Sequence, residues 1–307
     1  MKQELFPEIA DSGLRIDKYL SSVNEQLSRS YIQKLLKSGL VLVDGKPVKA
    51  SYQVDEGDVI SLDIPEAVEP EIEPEDMDLD ILYEDQDVIL VNKPKGMVVH
   101  PAAGHYSHTL VNGLMYHCKD QLSGINGVMR PGIVHRIDMD TTGVIIACKN
   151  DMAHNSIAAQ LKEHSITRRY QAIVHGVLKD DTGTIEGPIG RHPTDRKKMS
   201  INYNNGKNAV THYKVLKRFR QYTHVECRLE TGRTHQIRVH MAGTGHPLLG
   251  DTLYNESQTG KASVPGNPFT RAALHAWKLK FYHPFTGNKI LLEAPFPLDF
   301  ENFLEKK

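Results

Sequence analysis

The sequence predicts an α+β protein made of two domains, and three observations predict it. The chain has 307 residues, more than one compact domain usually needs. An acidic segment spaced by prolines interrupts it near residue 75. Beyond that segment, runs typical of strands outnumber helical patterns and do not alternate with them one for one. This distribution argues against a doubly wound parallel sheet.

Residues 1–65 are predicted to form a small N-terminal α/β module. Ser30-Tyr31-Ile32-Gln33 fits a capping box with Ser30 as the N-cap, and the helix that follows would end at Ser38. The Asp44-Gly45 pair lies between apolar runs, which is a strong hairpin signal. Residues 59–62 add a further strand.

Basic side chains are concentrated in this module. Asp44 is the single acid among residues 28–49, which contain five basic residues: Arg29, Lys34, Lys37, Lys46 and Lys49. Such a cluster indicates either a solvated helix face or a surface that binds RNA phosphates.

Residues 66–80 are predicted to be a linker, because an acidic run spaced by prolines makes a poor core. Residues 66–87 contain eleven Asp and Glu and no Lys or Arg. The net charge of the chain is −1, so the rest of the chain carries +10. Electrostatic attraction of a ligand depends on where the charges lie and not on their sum alone. A nucleic-acid partner is therefore compatible with the near-neutral net charge.

Residues 81–307 are predicted to form the second domain. Four runs have the apolar or alternating pattern of strands: residues 88–92, 143–148, 170–174 and 224–229. A short amphipathic helix is predicted over residues 155–164, with Ile157, Ala158 and Leu161 on one face.

Two segments of this domain, residues 130–143 and 230–240, are dense in polar side chains. Taken alone, the first is typical of a charged loop with a capping aspartate. The second has the alternation of an edge strand that faces solvent. On a strand, His235 and His240 would point to opposite faces, so no zinc or iron site is expected there.

Several function classes lack their sequence signals. No GxGxxG, GxxxxGK[ST], HExxH or GxSxG motif occurs, so no cofactor and no metal are expected. The three widely spaced cysteines are expected to be reduced thiols. Neither a signal peptide nor a long apolar stretch is present, and we therefore expect a cytoplasmic protein without membrane contact.

Three blocks of the N-terminal module follow the order found in the S4 RNA-binding domain. They are RIDKYL at residues 15–20, SRSYIQ at 28–33 and GLVLVDGK at 39–46. The module resembles that domain, which implies that it binds RNA through its basic residues, with Arg29, Lys34 and Lys37 as the expected contacts.

The second domain resembles the RluA-type pseudouridine synthases, which modify RNA. Residues 135–143 read HRIDMDTTG, against the family signature HRLDxxTSG, and Ile137 conserves the volume and polarity of leucine. The other matching blocks are NKPKGMVVHP at 92–101, RRYQA at 168–172, TGRTHQIRVH at 231–240, GHPLLGD at 245–251 and LHA at 274–276. With the S4-like module in front, the chain looks most like the D group, whose substrate is large-subunit ribosomal RNA.

The resemblance implies an S4-like α/β module followed by a mixed, largely antiparallel-sheet catalytic domain. It places Asp138 as the catalytic aspartate, Tyr170 as the active-site tyrosine and Arg238 as the arginine that pairs with the aspartate. Arg136 takes the position of the arginine that fills the space left by the extruded base. Further side chains expected to contact RNA are His135, Arg233 and His235.

These residue types suit the reaction. Pseudouridylation breaks the N1–C1′ bond, turns the uracil and joins C5 to C1′, so nothing is oxidised and no group is imported. It needs one ionised carboxylate near the sugar, as in glycosidases, and a buried arginine favours the ionised form. An aromatic ring can stack on the flipped base. Three routes stay open: attack of the aspartate on C1′, its addition to the uracil ring, and a glycal intermediate.

Two other functions stay open on the residues alone. One is a non-catalytic RNA-binding or ribosome-assembly protein, and the other is a glycoside hydrolase that uses Asp140 as a second acid.

Residues 191–220 carry nine Lys and Arg against Asp195 alone, which indicates an RNA-binding cleft or a solvated hairpin. The expected partner is RNA, as large-subunit ribosomal RNA or a pre-ribosomal particle, and the expected state is a monomer.

Overall fold

The chain forms two compact units, Met1–Glu69 and Pro70–Lys307. The computed structural model describes residues 2–24, 27–65, 72–102, 104–119, 121–125, 127, 130–255 and 267–305. Residues 66–71 of the predicted linker therefore lie outside the described residues.

The N-terminal unit packs two helices against a four-stranded antiparallel sheet of order β1-β4-β2-β3. Its elements are β1 (Lys2–Leu5), α1 (Ile16–Val23), α2 (Arg29–Lys37), β2 (Val41–Val43), β3 (Lys46–Pro47) and β4 (Ile60–Asp63). The core joins Ile16 and Leu20 of α1, Ile32 of α2, Val41 and Ile60 of the sheet. The spacing of these apolar positions, three to four residues on the helices and two on the strands, explains why they meet in one core.

The start of α2 differs from the prediction. Its N-cap is Ser28, whose hydroxyl accepts a hydrogen bond from the Tyr31 N–H at 3.3 Å. Ser30 lies inside the helix, and the Gln33 amide donates to Asp17 at 2.8 Å instead of returning to the N-cap. The predicted capping box was therefore wrong, because the buried carboxylate takes the glutamine amide.

The predicted hairpin is confirmed at Asp44-Gly45. Both residues have positive φ, 49° and 73°, as a type I′ turn requires between strands. The strand predicted over residues 59–62 is confirmed as β4.

The second unit is built on one nine-stranded sheet. Its path is β5-β6-β7-β14-β8-β13-β12-β9, and β15 pairs with β14. The strands are β5 (Ile81–Glu84), β6 (Val88–Lys93), β7 (Thr142–Cys148), β8 (Thr167–His175), β9 (Thr182–Glu186), β12 (Val210–Arg218), β13 (Tyr222–Leu229), β14 (Leu274–Tyr282) and β15 (Lys289–Glu293). The β7–β14 pair is parallel and the other pairs are antiparallel, which confirms the mixed, largely antiparallel sheet.

Helices and a small hairpin complete this unit. They are α3 (Leu110–Cys118), α4 (Asp151–Lys162), the hairpin of β10 (Ile189–Arg191) with β11 (Met199–Ile201), α5 (Gln236–Gly243) and α6 (Leu298–Glu305). Apolar residues bury both faces of the sheet. In β6, for example, Ile89 and Val91 join one core while Val88 and Leu90 join another, as the period of two in a strand dictates.

Two predictions for this unit, one of a helix and one of a strand, need correction. Helix α4 begins at Asp151, four residues before the predicted start, because the Asn150 side chain caps it by accepting from the Ala153 N–H at 2.8 Å. The segment with His235 and His240 is not a strand, since α5 begins directly after His235. Ile237 and Val239 gave it an apparent period of two, but both pack inward from one helix.

No helix among the described residues is both long enough and apolar enough to cross a membrane.

Candidate active site

Asp138 lies in the loop that enters β7 near the middle of the large sheet. β7 and β8 flank β14, and their neighbouring positions bring this loop close to Tyr170, which is on β8. Gly143 makes the close approach of β7 to β14 possible: its φ is +109°, and a Cβ there would collide with the carbonyl of Ala276. The glycine of the HRIDMDTTG block is therefore required by the backbone packing.

The backbone of the Asp138 loop is fixed at three successive carbonyls. The Asp138 carbonyl accepts from the Thr141 N–H at 3.1 Å. The Met139 carbonyl accepts from Lys93 Nζ at 2.8 Å, and the Asp140 carbonyl accepts from Arg271 Nη1 at 3.1 Å. These bonds orient Asp138 without using its carboxylate.

Lys93 is the most unusual of these partners, because its side chain is fully buried. Its ammonium group donates to the carbonyls of Pro94, Met97 and Met139 at 2.7–2.8 Å. Burial lowers the pKa of Lys93 to about 7, against the attraction of the nearby carboxylates. Three carbonyl acceptors match the three N–H groups of the charged form.

We expect Lys93→Met to lower the free energy of unfolding by about 3 kcal/mol, because three carbonyls lose the Lys93 ammonium as a donor and, among the described residues, the Met139 carbonyl keeps only the Gly96 N–H. Urea unfolding can be followed through Trp277, the single tryptophan, which lies in the same unit. Lys95→Met is the matched control, since Lys95 is exposed, and it should change stability by no more than about 0.5 kcal/mol. Equal urea midpoints for the two variants would contradict the role of Lys93.

Arg238 connects two carboxylates. Its Nη1 lies 3.2 Å from Asp138 Oδ2, and its Nε and Nη2 donate to the two oxygens of Asp251 at 2.7 and 3.0 Å. Burial opposes the charge of Arg238, but Asp251 and Asp138 outweigh it and raise the guanidinium pKa. The bidentate bond to buried Asp251 fixes the guanidinium plane, and Nη1 is left to hold the Asp138 carboxylate.

His235 lies on the same side of Asp138 as Arg238. It is the N-cap of α5, with a left-handed φ of 56°, and its Nε2 is 3.9 Å from Asp138 Oδ2. Gln236 holds this turn, since its Oε1 accepts from the Arg233 N–H at 2.9 Å and from the Thr231 hydroxyl at 2.8 Å. The start of α5 therefore presents both His235 and Arg238 to the carboxylate.

Tyr170 is 6% exposed and forms part of the main core beside the site. Burial raises the pKa of its hydroxyl, so the group is a neutral phenol at neutral pH. Asp138, Tyr170, His235 and Arg238 line one pocket of about 60 Å³ together with Arg136 and neighbouring apolar side chains.

A larger cleft of about 690 Å³ adjoins this pocket and shares Arg136, Arg168 and Arg233 with it. Arg130 and Lys162 add further positive charge to its lining, and three histidines also line it: His100, His135 and His164. Burial lowers the pKa of His100 to about 4 and that of His135 to about 3, so these two rings are neutral near pH 7. Glu230, the one acid in the lining among the described residues, accepts from His212 at 2.6 Å. Gly232 keeps room for the guanidinium of Arg168, because a Cβ there would collide with it. The cleft therefore presents a strongly positive surface next to Asp138.

The remaining predicted RNA contacts fall in different surroundings. His135 lines the cleft, but its Nε2 accepts from the Ile146 N–H at 3.2 Å and so ties the loop to β7. In the N-terminal unit, Lys34 and Lys37 are exposed on α2. Arg29 is about half exposed and donates to buried Asp17 at 2.8 and 3.0 Å.

Asp17 organises the basic face of the N-terminal unit. Arg15 and Gln33 also donate to it. Burial opposes ionisation of Asp17, but hydrogen bonds from Arg15, Gln33 and Arg29 outweigh it and lower the carboxyl pKa to about 2. The carboxylate therefore holds two arginine side chains in fixed positions at the surface.

Among the described residues, one group combines potential metal ligands: Asp85, Asp87 and His283. His283 Nδ1 accepts from the N–H groups of Phe285 and Thr286, so Nε2 carries the proton and donates to Asp85 at 2.7 Å. This arrangement joins two hairpin turns and leaves no lone pair of His283 for a cation.

The sequence alone identified Asp138 and Arg238, but it did not indicate three groups that lie around them. Lys93 and Asp251 lie within recognised blocks, yet their role depends on contacts that the sequence does not display. Tyr254, three residues after Asp251, donates or accepts hydrogen bonds with His235 and Met199 and was not singled out. The one sequence signal for Asp251 is that it is the single acidic residue of the GHPLLGD block at 245–251.

Comparisons with known proteins agree with both predicted resemblances. The model of the RNA pseudouridylate synthase family matches residues 87–243, and the model of the S4 domain matches residues 14–60. A Bacillus subtilis protein named as an uncharacterised RNA pseudouridine synthase is 54% identical over 291 residues, which is 95% of this chain and 93% of that protein.

A relative with a more specific name comes from Zymomonas mobilis. This ribosomal large subunit pseudouridine synthase D is 46% identical over 293 residues, covering 94% of this chain and 92% of its own length. Among solved structures, human RNA pseudouridylate synthase domain containing 1 is similar with a TM-score of 0.56 and 27% identity, over 72% of this chain and 84% of that one.

Proposed function

The chain belongs to the RNA pseudouridine synthase family and carries an N-terminal S4 domain, and from this premise we propose that it isomerises uridines of large-subunit ribosomal RNA with Asp138 as the nucleophile. The observation that carries the proposal is the Asp138–Arg238 ion pair at 3.2 Å, in a pocket that also holds Tyr170 and adjoins a basic cleft.

The geometry supports one carboxylate acting alone. The pocket is lined by Asp138 and by no second acid among the described residues. A glycoside hydrolase needs a second carboxyl group as general acid or base, and Asp140, the nearest candidate in the sequence, is not among the lining side chains. The arrangement therefore favours an isomerisation in which the uracil leaves C1′ and is then recaptured through C5.

Each neighbour of Asp138 has a separate task in this proposal. Arg238 pairs with the carboxylate at 3.2 Å and so orients it to meet the positive charge that develops at C1′. Tyr170 supplies a flat ring against the flipped uracil, and its neutral hydroxyl lies in the same pocket. The C5 proton must leave once C5 has joined C1′, and it passes to water through the cleft that adjoins the pocket.

The pocket has to open for the base to enter. Its volume of about 60 Å³ is well below the few hundred Å³ typical of ligand sites, whereas the cleft has about 690 Å³. Arg136 is exposed and lines both spaces. We propose that Arg136 moves to admit the uracil, and that its guanidinium then stacks in the gap left in the RNA. Unstacking the target uridine costs roughly a few kcal/mol.

In this proposal, side chains of the cleft and of the S4 domain bind the RNA. We assign phosphate contacts to Arg233 and to the exposed Lys34 and Lys37, and a supporting contact to Arg29 beside Asp17. His135 and His235 border the target nucleotide. Large-subunit ribosomal RNA is proposed as the substrate because several relatives that match over most of the chain bear that substrate in their names.

Ribosomal RNA labelled with tritium at C5 of uridine tests the reaction. The synthase should release tritium to water in equal amount to the pseudouridine formed, with no free uracil. A hydrolase would release uracil and leave abasic sites, and a binding protein would release nothing. Either of the latter results would overturn the proposal.

We also expect the double variant Arg130→Gln/Lys162→Gln to weaken RNA binding and to flatten its salt dependence. Both side chains are exposed in the cleft, and each phosphate contact contributes about 0.7–0.9 to the slope of log K against log salt. The slope should fall by about 1.5 for the two losses. Lys289→Gln is the control, since Lys289 is exposed on β15 outside the cleft lining, and an equal change in both proteins would exclude the cleft as the RNA site.

A further inference from the structure

Tyr254 lies outside the lining of the Asp138 pocket and forms two hydrogen bonds through its hydroxyl group. Its oxygen accepts from the Met199 N–H at 2.8 Å and lies 2.7 Å from His235 Nδ1. Its ring also contacts the site, with the Arg238 guanidinium 5.0 Å from the ring centre and the His235 ring edge-on at 5.6 Å. Tyr254 therefore touches both side chains that face the Asp138 carboxylate.

These contacts determine which nitrogen of His235 carries the proton. The Met199 amide can only donate, so it occupies an acceptor position of the Tyr254 oxygen. Among the described residues, His235 Nδ1 is the one acceptor recorded for the Tyr254 hydroxyl proton. The hydroxyl therefore donates to Nδ1, and a neutral His235 carries its own proton on Nε2.

His235 Nε2 is the nitrogen that faces Asp138, at 3.9 Å from Oδ2. Four charged side chains act on the ring: Asp138, Arg238, Asp251 and Arg136. Burial lowers the pKa of His235 despite the two carboxylates, so the ring is neutral near pH 7. In this tautomer it offers an N–H to the carboxylate and to the pocket, whereas the other tautomer would direct a lone pair at a negative charge.

We propose that Tyr254 is a positioning residue for the isomerisation, which acts by holding His235 as the Nε2–H tautomer beside Asp138. The proposal rests on the function proposed above and extends it to a residue outside the pocket. The hydrogen bond from the Met199 N–H to the Tyr254 hydroxyl has a second consequence. Met199 belongs to the β10–β11 hairpin, whose connecting turn carries the basic residues Arg196 and Lys197, and the hydroxyl ties this hairpin to the catalytic side chains.

Tyr254→Phe is a sharp variant for the test, because it removes the hydroxyl and keeps the ring that packs on Arg238 and His235. The direct readout is the tautomer of His235, measured by long-range ¹H–¹⁵N correlation in histidine-labelled protein without RNA. The His235 signals are identified by their loss in His235→Asn, in which asparagine tolerates the left-handed backbone. We expect the Nε2–H form in the wild type and a mixture of tautomers in Tyr254→Phe. A proton on Nδ1 in the wild type would overturn the proposal.

A double-mutant cycle gives the kinetic readout. With saturating RNA, Tyr254→Phe should lower the single-turnover rate about tenfold, the equivalent of one hydrogen bond, with little change in RNA affinity. In the His235→Asn background the same change should cost less than about twofold, because Tyr254 then has no ring nitrogen to orient. An undiminished tenfold loss in that background would show that Tyr254 does not act through His235. Since the NMR measurement uses no RNA, a wild type with the expected tautomer that forms no pseudouridine would contradict the proposed function alone.

Discussion

Replacing Asp138 with asparagine is expected to reduce pseudouridine formation by at least about 10³-fold, while RNA binding stays within a few-fold of wild type. Asparagine has nearly the same shape but cannot attack carbon or balance positive charge at C1′. The loop should keep its conformation, because Lys93, Thr141 and Arg271 hold its backbone carbonyls and not the carboxylate. Single-turnover kinetics with saturating RNA, together with a binding titration, measure the two effects separately.

Asp140→Asn is the matched control for this experiment. Asp140 lies two residues away in the same loop, and its backbone carbonyl, not its side chain, is bound by Arg271. The control should retain activity within about threefold, since its carboxylate does not line the pocket. Comparable losses in the two variants would indicate that the loop needs negative charge in general, and Asp138 would lose its distinct role.

Arg238→Met should produce the second largest effect, a loss of activity of about 10²-fold or more with RNA binding largely preserved. Methionine replaces the hydrocarbon stem, but Asp138 loses its partner at 3.2 Å. Asp251 loses both hydrogen bonds from Arg238 and keeps, within the described part of the chain, only those from the N–H groups of Leu253 and Tyr254. Because Asp251 is 1% exposed, an unpaired charge there should also cost about 3 kcal/mol of folding stability. The kinetic measurement is therefore made well below the melting temperature of the variant.

Arg238→Lys separates charge from geometry. A lysine restores a positive charge but cannot bond both oxygens of Asp251 and still direct a third donor at Asp138. We expect it to recover most of the stability and only part of the activity. Normal turnover by Arg238→Met at saturating RNA, with binding lost, would instead show that Arg238 serves as an RNA contact.

Much of the fold was predictable because local signals and packing agree. The Asp44-Gly45 turn needs two positive φ values and is flanked by strands, and the apolar runs of β6 and β7 are buried on both faces. The start of α5 was not predictable from pattern. Ile237 and Val239 imitate a strand, and the chain enters the helix through His235 in a left-handed conformation that no local residue preference announces.

The site was predictable from the sequence only in part. Asp138 and Arg238 are 100 residues apart, and their own segments gave each of them a simpler interpretation as a capping residue or a strand residue. The family resemblance paired them. The bidentate anchor Asp251, buried Lys93 and the Tyr254 hydroxyl depend on distances across the fold, so residue type and spacing could not assign them.

Pseudouridine mapping of large-subunit ribosomal RNA from cells that lack this gene tests the central claim most directly. The same cells are complemented with the wild type or with Asp138→Asn at equal protein levels. We predict that one or more pseudouridines vanish on deletion, return with the wild type, and stay absent with Asp138→Asn. Unchanged pseudouridines in the deletion cells, or full restoration by Asp138→Asn, would contradict it.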